Sequence, residues 1–275
     1  MVRMTAGLAG GLLCALCLGA APAMAQPVAP MRLEFDYDGV LDALHLTGEV
    51  KVMSLHIVER AAQTDFETAA ELKSFGLLAA IWRLDIRTDA HGPVAGGLPH
   101  PHFFEFTRYG KHGHPNRASL VWGAQDVAVT PPPHALGDPP PTPAQKLDAA
   151  DPVTLFSRAA YADSGQALCA RNWRFFDGSE VYELRFQSTG PADLSEADKA
   201  RGFTRAVRCQ VRYVEVSGFI HKPGDRRDEG LKSDIHAEFG QLGANGPWVF
   251  LSLKADTILG YARVRLRDMK LATAG

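Results

Sequence analysis

The sequence predicts an all-β protein built mainly from antiparallel strands. Two observations carry this prediction: apolar residues recur at every second position along most of the chain, and helical patterns are few. Such alternation gives each strand one apolar face and one polar face, which is typical of antiparallel sheets.

Six segments show the alternation most clearly: residues 33–41, 46–52, 182–187, 205–213, 249–253 and 262–266. In the first of them, Leu33, Phe35 and Tyr37 alternate with Asp36 and Asp38. We therefore expect an amphipathic strand at the start of the fold, with the aromatic residues facing inward and the carboxylates facing water.

The last of these strands carries a basic stripe. Arg263, Arg265 and Arg267 fall on its polar face. We interpret the stripe as a solvated face or as the protection of a sheet edge. Contact with an acidic partner or a lipid headgroup is the alternative.

Three segments carry helical signals. Residues 151–162 begin with Asp151 as the N-cap and Pro152 at the first helical position, which predicts a short helix. Residues 193–202 predict a short polar helix or a loop. Residues 74–84 predict a turn or two of helix or a direct connection between strands.

A proline-rich segment divides the chain. Residues 130–143 contain seven prolines in 14 positions, which excludes pairing inside a sheet and predicts a loop or extended polyproline. The strand blocks on either side look too small and too rich in edges to close alone. We therefore expect a single domain over residues 26–275, with this linker inside it.

The N-terminus has the features of a secretory signal peptide. Arg3 precedes an apolar run over residues 5–20, and Ala23-Met24-Ala25 places small residues at the two positions that signal peptidase reads. The run is shorter than the ~20 residues that a membrane-spanning helix needs. We expect cleavage after Ala25, a periplasmic location, and no stable transmembrane segment in the mature chain.

Two of the four cysteines, Cys169 and Cys209, lie beyond this signal peptide. An exported chain meets an oxidising compartment, where an even number of cysteines predicts disulfides. Each thiol shares the apolar phase of its neighbours, Trp173 for one and Val211 for the other. We expect two inward-facing strand cysteines joined by one bridge, with two buried free thiols as the alternative.

Charge excludes one class of partner. Without Arg3 the chain carries 28 basic and 31 acidic side chains. It therefore lacks the basic excess that holds nucleic acid or an anionic membrane surface.

One short motif suggests an enzyme. Asp36-Tyr37-Asp38-Gly39-Val40-Leu41 resembles the first motif of the haloacid-dehalogenase phosphatases, in which the first Asp attacks a phosphoryl group. That family places the motif after a strand that is apolar on both faces, whereas residues 31–35 carry a charge at every second position. The family's late acidic pair is imitated only by Asp225 and Asp228. A phosphatase using Asp36 and Asp38, or another hydrolase, is the alternative that we keep.

Four histidines raise the question of a metal site. His100 and His102 precede a strand-like segment, residues 103–109, and His112 and His114 follow it. At ~3.3 Å per residue the two pairs would lie roughly 30 Å apart, so we predict no joint site, no metal and no cofactor. The sequence contains no G-x-S-x-G, P-loop or G-x-G-x-x-G motif, and we assign no catalytic residue.

Several separated segments together resemble one family, the bacterial exported proteins of domain of unknown function 3108. The matching segments are residues 35–41, 71–82, 151–162, 169–186, 209–219 and 253–266. The resemblance covers most of the mature chain. It implies a curved, incompletely closed β-barrel or β-spiral with one or two short helices, and it implies no catalytic residues.

These features favour a non-enzymatic periplasmic protein that helps to maintain the cell envelope. We expect it to bind a hydrophobic or amphipathic molecule, or an envelope lipid or protein, in the concavity of the curved sheet. The predicted ligand-facing residues are Phe35, Tyr37, Trp173 and Tyr213. A structural module that docks on a larger assembly is a further alternative.

Overall fold

The protein is described from a computed structural model. The structure describes residues 30–43, 49–81, 83–110, 115–221, 235–257 and 260–273. The signal peptide, His112 and His114, and the acidic pair Asp225 and Asp228 lie outside these residues. The interpretations of these segments therefore stay predictions.

The described residues form one meandering antiparallel sheet. Its strands are β1 Met31–Ala43, β2 Val50–Ala61, β3 Asp65–Ser74, β4 Asp85–Ala95, β5 Leu98–Pro99, β6 Phe103–Tyr109, β7 Pro115–Trp122, β8 Val127–Thr130, β9 Asn172–Phe176, β10 Val181–Ala192, β11 Phe203–Ser217, β12 Ile235–Leu242, β13 Trp248–Thr257 and β14 Gly260–Thr273. The order across the sheet is β8-β7-β6-β4-β3-β2-β1-β14-β13-β12-β11-β10-β9, with the short β5 paired to β4. The antiparallel β prediction is confirmed.

The first and last strands meet in the middle of the sheet. β1 pairs with β14 along its whole length, from Met31 opposite Thr273 to Ala43 opposite Gly260. On its other side β1 pairs with β2, and the register shifts between Gly39 and Val40. A Cβ on Gly39 would lie 2.8 Å from the side chain of Met53, so this bulge leaves room for glycine only.

Short helices connect and cover the strands. They are α1 Gly76–Ile81, α2 Pro143–Leu147, α3 Thr154–Ala160, α4 Gly165–Cys169 and α5 Glu196–Ala200. Helices α1, α3 and α5 lie in the three segments with helical signals. The pattern did not indicate α2 and α4, because a helix of about one turn is too short to show a period of 3.6.

Helix α3 begins later than predicted. Its N-cap is Val153 rather than Asp151. The fully buried Asp151 carboxylate still accepts hydrogen bonds from the backbone N–H groups of Val153 and Thr154, both at 2.9 Å. Pro152 has no N–H to offer, so the carboxylate binds the next two donors along the chain.

The two edge strands, β8 and β9, are linked through the chain between them. The N–H of Ala150 donates to Arg174 O at 2.9 Å, and the N–H of Phe176 donates to Ala150 O at 2.8 Å. The indole of Trp122 in β7 donates to Ala149 O at 3.0 Å. One stretch of backbone thus spans the gap between the edges, which makes the fold the incompletely closed barrel that was predicted.

The proline-rich segment lies outside the sheet. Residues 131–142 form neither strand nor helix, as predicted. Their backbone is fixed by Gly137 N–H to Gly218 O, 3.0 Å, and Gly218 N–H to Pro139 O, 2.8 Å. Strands from both sides of this linker belong to the same sheet.

The predicted disulfide between Cys169 and Cys209 is present, with the two Cα atoms 5.4 Å apart and both residues fully buried. The prediction that both cysteines lie on strands is wrong for Cys169. It is the last residue of α4, and β9 begins only at Asn172. The bridge therefore ties a helix to β11 inside an apolar cluster that contains Trp173 and Phe239.

Candidate functional site

A groove of about 740 Å³ lies between α5 and the polar sides of β11 to β14. Helix α5 covers these strands because it sits in the connection from β10 to β11 and contacts β11. Its N-cap is Ser195, whose hydroxyl accepts the N–H of Asp198 at 3.1 Å. The lining residues are Asp38, Ser195, Ala197, Asp198, Arg201, Arg208, His236, Glu238, Leu251, Ser252, Lys254, Arg263, Arg265, Leu266 and Arg267.

The groove is basic. Its lining contains six Lys and Arg side chains, three carboxylates and one histidine. Leu251 and Leu266 add an apolar part to the lining. A cavity that combines cationic side chains with apolar surface suits a ligand with an anionic end and an apolar end.

Most of the cations in the groove are held by carboxylates. Arg208 pairs with Glu238 at 2.8 Å, and Arg201 pairs with Asp198 at 3.0 Å. Arg263 and Arg265 pair with Glu49 at 3.5 and 3.4 Å, and Arg267 lies 3.3 Å from Asp36 and 4.0 Å from Asp38. The carboxylates therefore act as fixed partners that position the guanidinium groups along the strands.

Two side chains of the groove differ from this pattern. Among the described residues no carboxylate pairs with Lys254, whose Nζ lies 4.5 Å from the centre of the Tyr261 ring. Nδ1 of His236 is buried and has no hydrogen-bond partner among them. The two residues are directly opposite each other, because His236 pairs with Lys254 in the register of β12 and β13.

The inward face of the sheet is filled by α3. Phe35 and Tyr37 of β1 are buried, and the ring of Tyr37 lies 6.3 Å from Phe156 of α3 and 5.5 Å from Phe250 of β13. The phenol of Tyr37 donates to Phe250 O at 3.0 Å. These contacts cover the aromatic surface that an internal ligand would otherwise contact.

Of the other two predicted ligand-facing residues, Trp173 lies in a second apolar cluster. Trp173 is buried there, beneath the guanidinium of Arg158, which lies 5.2 Å from the ring centre. Tyr213 is half-buried and stacks on Tyr182 at 5.2 Å. Burial lowers the pKa of Arg158 to about 10. A ligand-facing role for Phe35, Tyr37, Trp173 and Tyr213 stays a prediction.

A buried polar cluster lies where α3 meets β2 and β3. Glu59 and Thr68 are buried, and the Thr68 hydroxyl hydrogen-bonds Ser157 of α3. Desolvation raises the pKa of Glu59 to about 7, against the opposing effect of a hydrogen bond with Ser157. Oε1 of Glu59 has no partner among the described residues. Because the Glu59 carboxylate is enclosed by protein, we infer that this cluster holds α3 against β2 and β3.

Asp36 and Asp38 lie on the polar side of β1, as the alternation predicts. Asp36 Oδ1 is 2.9 Å from Nδ1 of His56, and Asp38 Oδ1 is 2.7 Å from Nζ of Lys51. Desolvation raises the pKa of Asp36, but the hydrogen bonds and charges of His56 and Arg267 lower it by a larger amount. The pKa of Asp36 is therefore lower than that of an ordinary aspartate. Both neighbours of β1 are antiparallel, whereas the phosphatase alternative requires a parallel sheet.

The histidines that the structure describes are not assembled into a site. His100 and His102 both precede β6, and His91 stacks on Phe103 at 5.1 Å. Within the described ranges no three His, Cys, Asp or Glu residues come together as a metal site would require. The predicted strand over residues 103–109 is confirmed as β6.

Sequence reasoning found only part of the groove. It identified the stripe Arg263, Arg265 and Arg267 but did not single out Lys254 or His236. The available signal was alternation of basic residues along β11 and β14. That signal marks a polar face, but it does not show that α5 turns the face into a groove.

The sequence comparisons and the structure comparison give different results. No family model and no curated protein matches the sequence. A crystal structure described as a beta-barrel-like protein of domain of unknown function DUF1849 from Brucella abortus is similar over 90% of this chain and 99% of that chain, at 11% identity. The TM-score is 0.47, and a likeness of that size carries no inference about function.

None of the helices in the described part of the chain is both long and apolar enough to cross a bilayer.

Proposed function

We propose that this chain is an exported, non-enzymatic protein of the bacterial cell envelope that binds an amphipathic molecule in the groove beneath α5. We also propose that it belongs with the exported proteins of domain of unknown function 3108. The observation that carries the binding proposal is the contrast between the two sides of the sheet. The inward side packs against α3, and the polar side bears an open volume of about 740 Å³.

Two observations support export to the periplasm. Residues 1–25 have the sequence of a cleavable signal peptide. Cys169 and Cys209 form a fully buried disulfide, and such bonds persist in oxidising compartments.

The electrostatics of the groove support binding rather than catalysis. A general acid or base needs a pKa near the working pH and a position free to reach the substrate. Here the carboxylates that line or flank the groove are engaged by Arg or Lys side chains, for example Glu238 by Arg208 at 2.8 Å. Such pairing leaves no lining carboxylate placed as a free acid or base, and it holds the cations in place for a ligand.

An internal site is the second position that a ligand could take. It is the one predicted from Phe35, Tyr37, Trp173 and Tyr213. A ligand there would have to displace α3, since Phe156 packs on Tyr37 and Phe250. The groove requires no such rearrangement, and for that reason we place the ligand in the groove.

The proposal is tested by native purification from the periplasm, followed by mass spectrometry of the bound small molecules. We expect a lipid-like molecule at near-stoichiometric amounts, released by organic solvent. The control is Ala197→Trp, which places a bulky side chain in the groove at an exposed position of α5. Retention of the same molecule by this variant would move the site to the inward face, and purification with no bound amphiphile would contradict the proposal.

The enzyme alternative is tested with the same material. A phosphatase predicts magnesium-dependent hydrolysis of a generic phosphate ester that is lost in Asp36→Asn. We expect no hydrolysis above a buffer blank. Turnover that disappears in this variant would replace the binding proposal.

A further inference from the structure

The groove contains a row of three basic side chains on adjacent strands. His236 of β12 is opposite Lys254 of β13, and in the next pairing Lys254 is opposite Arg263 of β14. Directly opposed residues on one face of a sheet have Cβ atoms about 4.5–5.5 Å apart, and like charges in such a pair destabilise it. Both cations lie over the Tyr261 ring, Lys254 Nζ at 4.5 Å and the Arg263 guanidinium at 5.4 Å from its centre, and no carboxylate among the described residues pairs with Lys254.

We propose that this row binds a phosphate group, the anionic end of the amphipathic ligand. The inference rests on the proposed function, because it names the chemistry of the ligand for the same groove. A phosphate between Lys254 and Arg263 turns the unfavourable like-charge pair into two favourable contacts. His236 also lines the groove, so its imidazole supplies a third polar contact.

The charges of the row favour phosphate over a carboxylate. A phosphate monoester carries about −1.5 to −2 charge and three strong acceptor oxygens. Lys254 and Arg263 contribute two positive charges, and Arg263 is already shared weakly with Glu49 at 3.5 Å. Two cations and one imidazole match an anion with several acceptor oxygens, whereas one carboxylate would leave donors without acceptors.

The surroundings of the row keep it positively charged. Glu238, the nearest lining carboxylate along β12, is occupied by Arg208 at 2.8 Å and by the Ser252 hydroxyl at 2.9 Å. Asp38, another lining carboxylate, has Lys51 Nζ at 2.7 Å and Arg267 Nε at 4.0 Å from its Oδ1. The carboxylates are therefore committed to other partners, and Lys254 is left for the ligand.

Three probes separate the chemistry and source of the anion. They are inorganic phosphate, dodecyl phosphate and dodecyl maltoside, each titrated into the mature protein by calorimetry, with the two detergents below their micelle concentrations. We expect dodecyl phosphate to bind and dodecyl maltoside to bind at least tenfold more weakly. Inorganic phosphate binding as tightly as dodecyl phosphate would assign the site to free phosphate, and weaker binding would assign it to a headgroup. Both results support phosphate recognition.

Two variants locate the site. Lys254→Gln should weaken dodecyl phosphate binding by about tenfold, the value of one charge-assisted hydrogen bond, and Lys254→Arg should restore most of it. The matched control is Arg117→Gln on β7, which makes the same change in net charge away from the groove. Equal weakening by Lys254→Gln and Arg117→Gln would overturn the proposal, because it would show attraction by net charge alone.

The remaining outcomes separate this inference from the proposed function. If dodecyl maltoside and dodecyl phosphate bind equally tightly, the groove recognises the alkyl chain, and phosphate recognition is wrong while amphiphile binding stands. If none of the three probes binds, both proposals fail.

Discussion

Asp36 and Tyr37 are neighbours in β1, yet they belong to two different environments. The Tyr37 side chain is buried against Phe156 and Phe250 on the inward face. The Asp36 side chain lies on the polar face, within reach of His56 at 2.9 Å and Arg267 at 3.3 Å. The same strand thus makes apolar packing contacts on its inward face and charged contacts on its outward face.

The difference between the faces indicates where stability and binding reside. On the inward face, removal of atoms leaves a cavity, because α3 already fills the space. On the outward face, side chains reach solvent, and each ion pair contributes little free energy of unfolding. We therefore expect substitutions on the inward face to change stability and substitutions on the outward face to change binding.

The largest effect is expected at Tyr37. Tyr37→Ala should lower the free energy of unfolding by about 3–5 kcal/mol, because it removes a buried ring and leaves a cavity beside Phe156. The measurement is denaturant unfolding followed by tryptophan fluorescence. A loss below about 1 kcal/mol would show that α3 does not pack on β1 in solution.

The second effect is a pH dependence from Glu59. Burial raises its pKa from 4.5 to about 7, so the folded protein binds this proton more tightly than the unfolded chain does. The contribution of Glu59 to the free energy of unfolding is complete below pH 4.5. It declines as the pH rises to 7, by roughly 3 kcal/mol in total. Above pH 7 this loss is complete, and Glu59 no longer makes the free energy of unfolding depend on pH.

The test is thermal unfolding of the wild type and of Glu59→Gln between pH 4.5 and pH 8. Gln keeps the size of the side chain but cannot ionise, so the variant should gain stability relative to the wild type as the pH rises. Ser157→Ala is the companion variant, since it removes the hydroxyl that hydrogen-bonds this cluster. Identical pH slopes in the wild type and Glu59→Gln would show that the carboxylate is solvated.

A smaller effect is expected from the hydroxyl of Tyr37 alone. Tyr37→Phe removes the hydrogen bond to Phe250 O, 3.0 Å long, and leaves a buried carbonyl oxygen without that donor. We expect a loss of about 1 kcal/mol, measured by the same denaturant unfolding. Compared with Tyr37→Ala, this variant separates the packing of the ring from its polar contact.

The strands were predictable because each inward face is apolar and each outward face is polar. The alternation of Leu33, Phe35 and Tyr37 specifies both the β1 strand and its orientation. The disulfide was predictable from the two cysteines that follow the predicted signal peptide. The position of Cys169 was not, because Cys169 and its apolar neighbour Trp173 are four residues apart, and this spacing places two residues on one face of a helix as well as on one face of a strand.

The groove was predictable only as a polar face. The arginines of β14 indicated that face, but a cavity also needs a cover, which here is α5 from the connection between β10 and β11. Lys254 and His236 form a row with Arg263 only because β12, β13 and β14 pair in this register. Period-2 patterns carry no information on which strand will lie beside which, so the row could not be read before the register was known.

Asp36 offers a direct contrast with Tyr37. Asp36→Asn should cost less than about 1 kcal/mol, because the carboxylate is partly exposed and its ion pairs are screened by solvent. The same denaturant experiment measures it, and raising the salt concentration should reduce the difference further. A loss as large as that of Tyr37→Ala would mean that the polar face also holds the fold together.

The smallest expected effect has the opposite sign. Lys254→Gln removes one member of the like-charge pair with Arg263, so without phosphate the variant should be more stable than the wild type by about 0.5 kcal/mol at low salt. Phosphate should stabilise the wild type and leave the variant nearly unchanged, since a ligand stabilises only the folded state that binds it. Differential scanning fluorimetry with and without dodecyl phosphate measures both, with Arg117→Gln as the control. A variant that is less stable than the wild type under both conditions would make Lys254 a structural residue, because the like-charge row would then have no need of an anion.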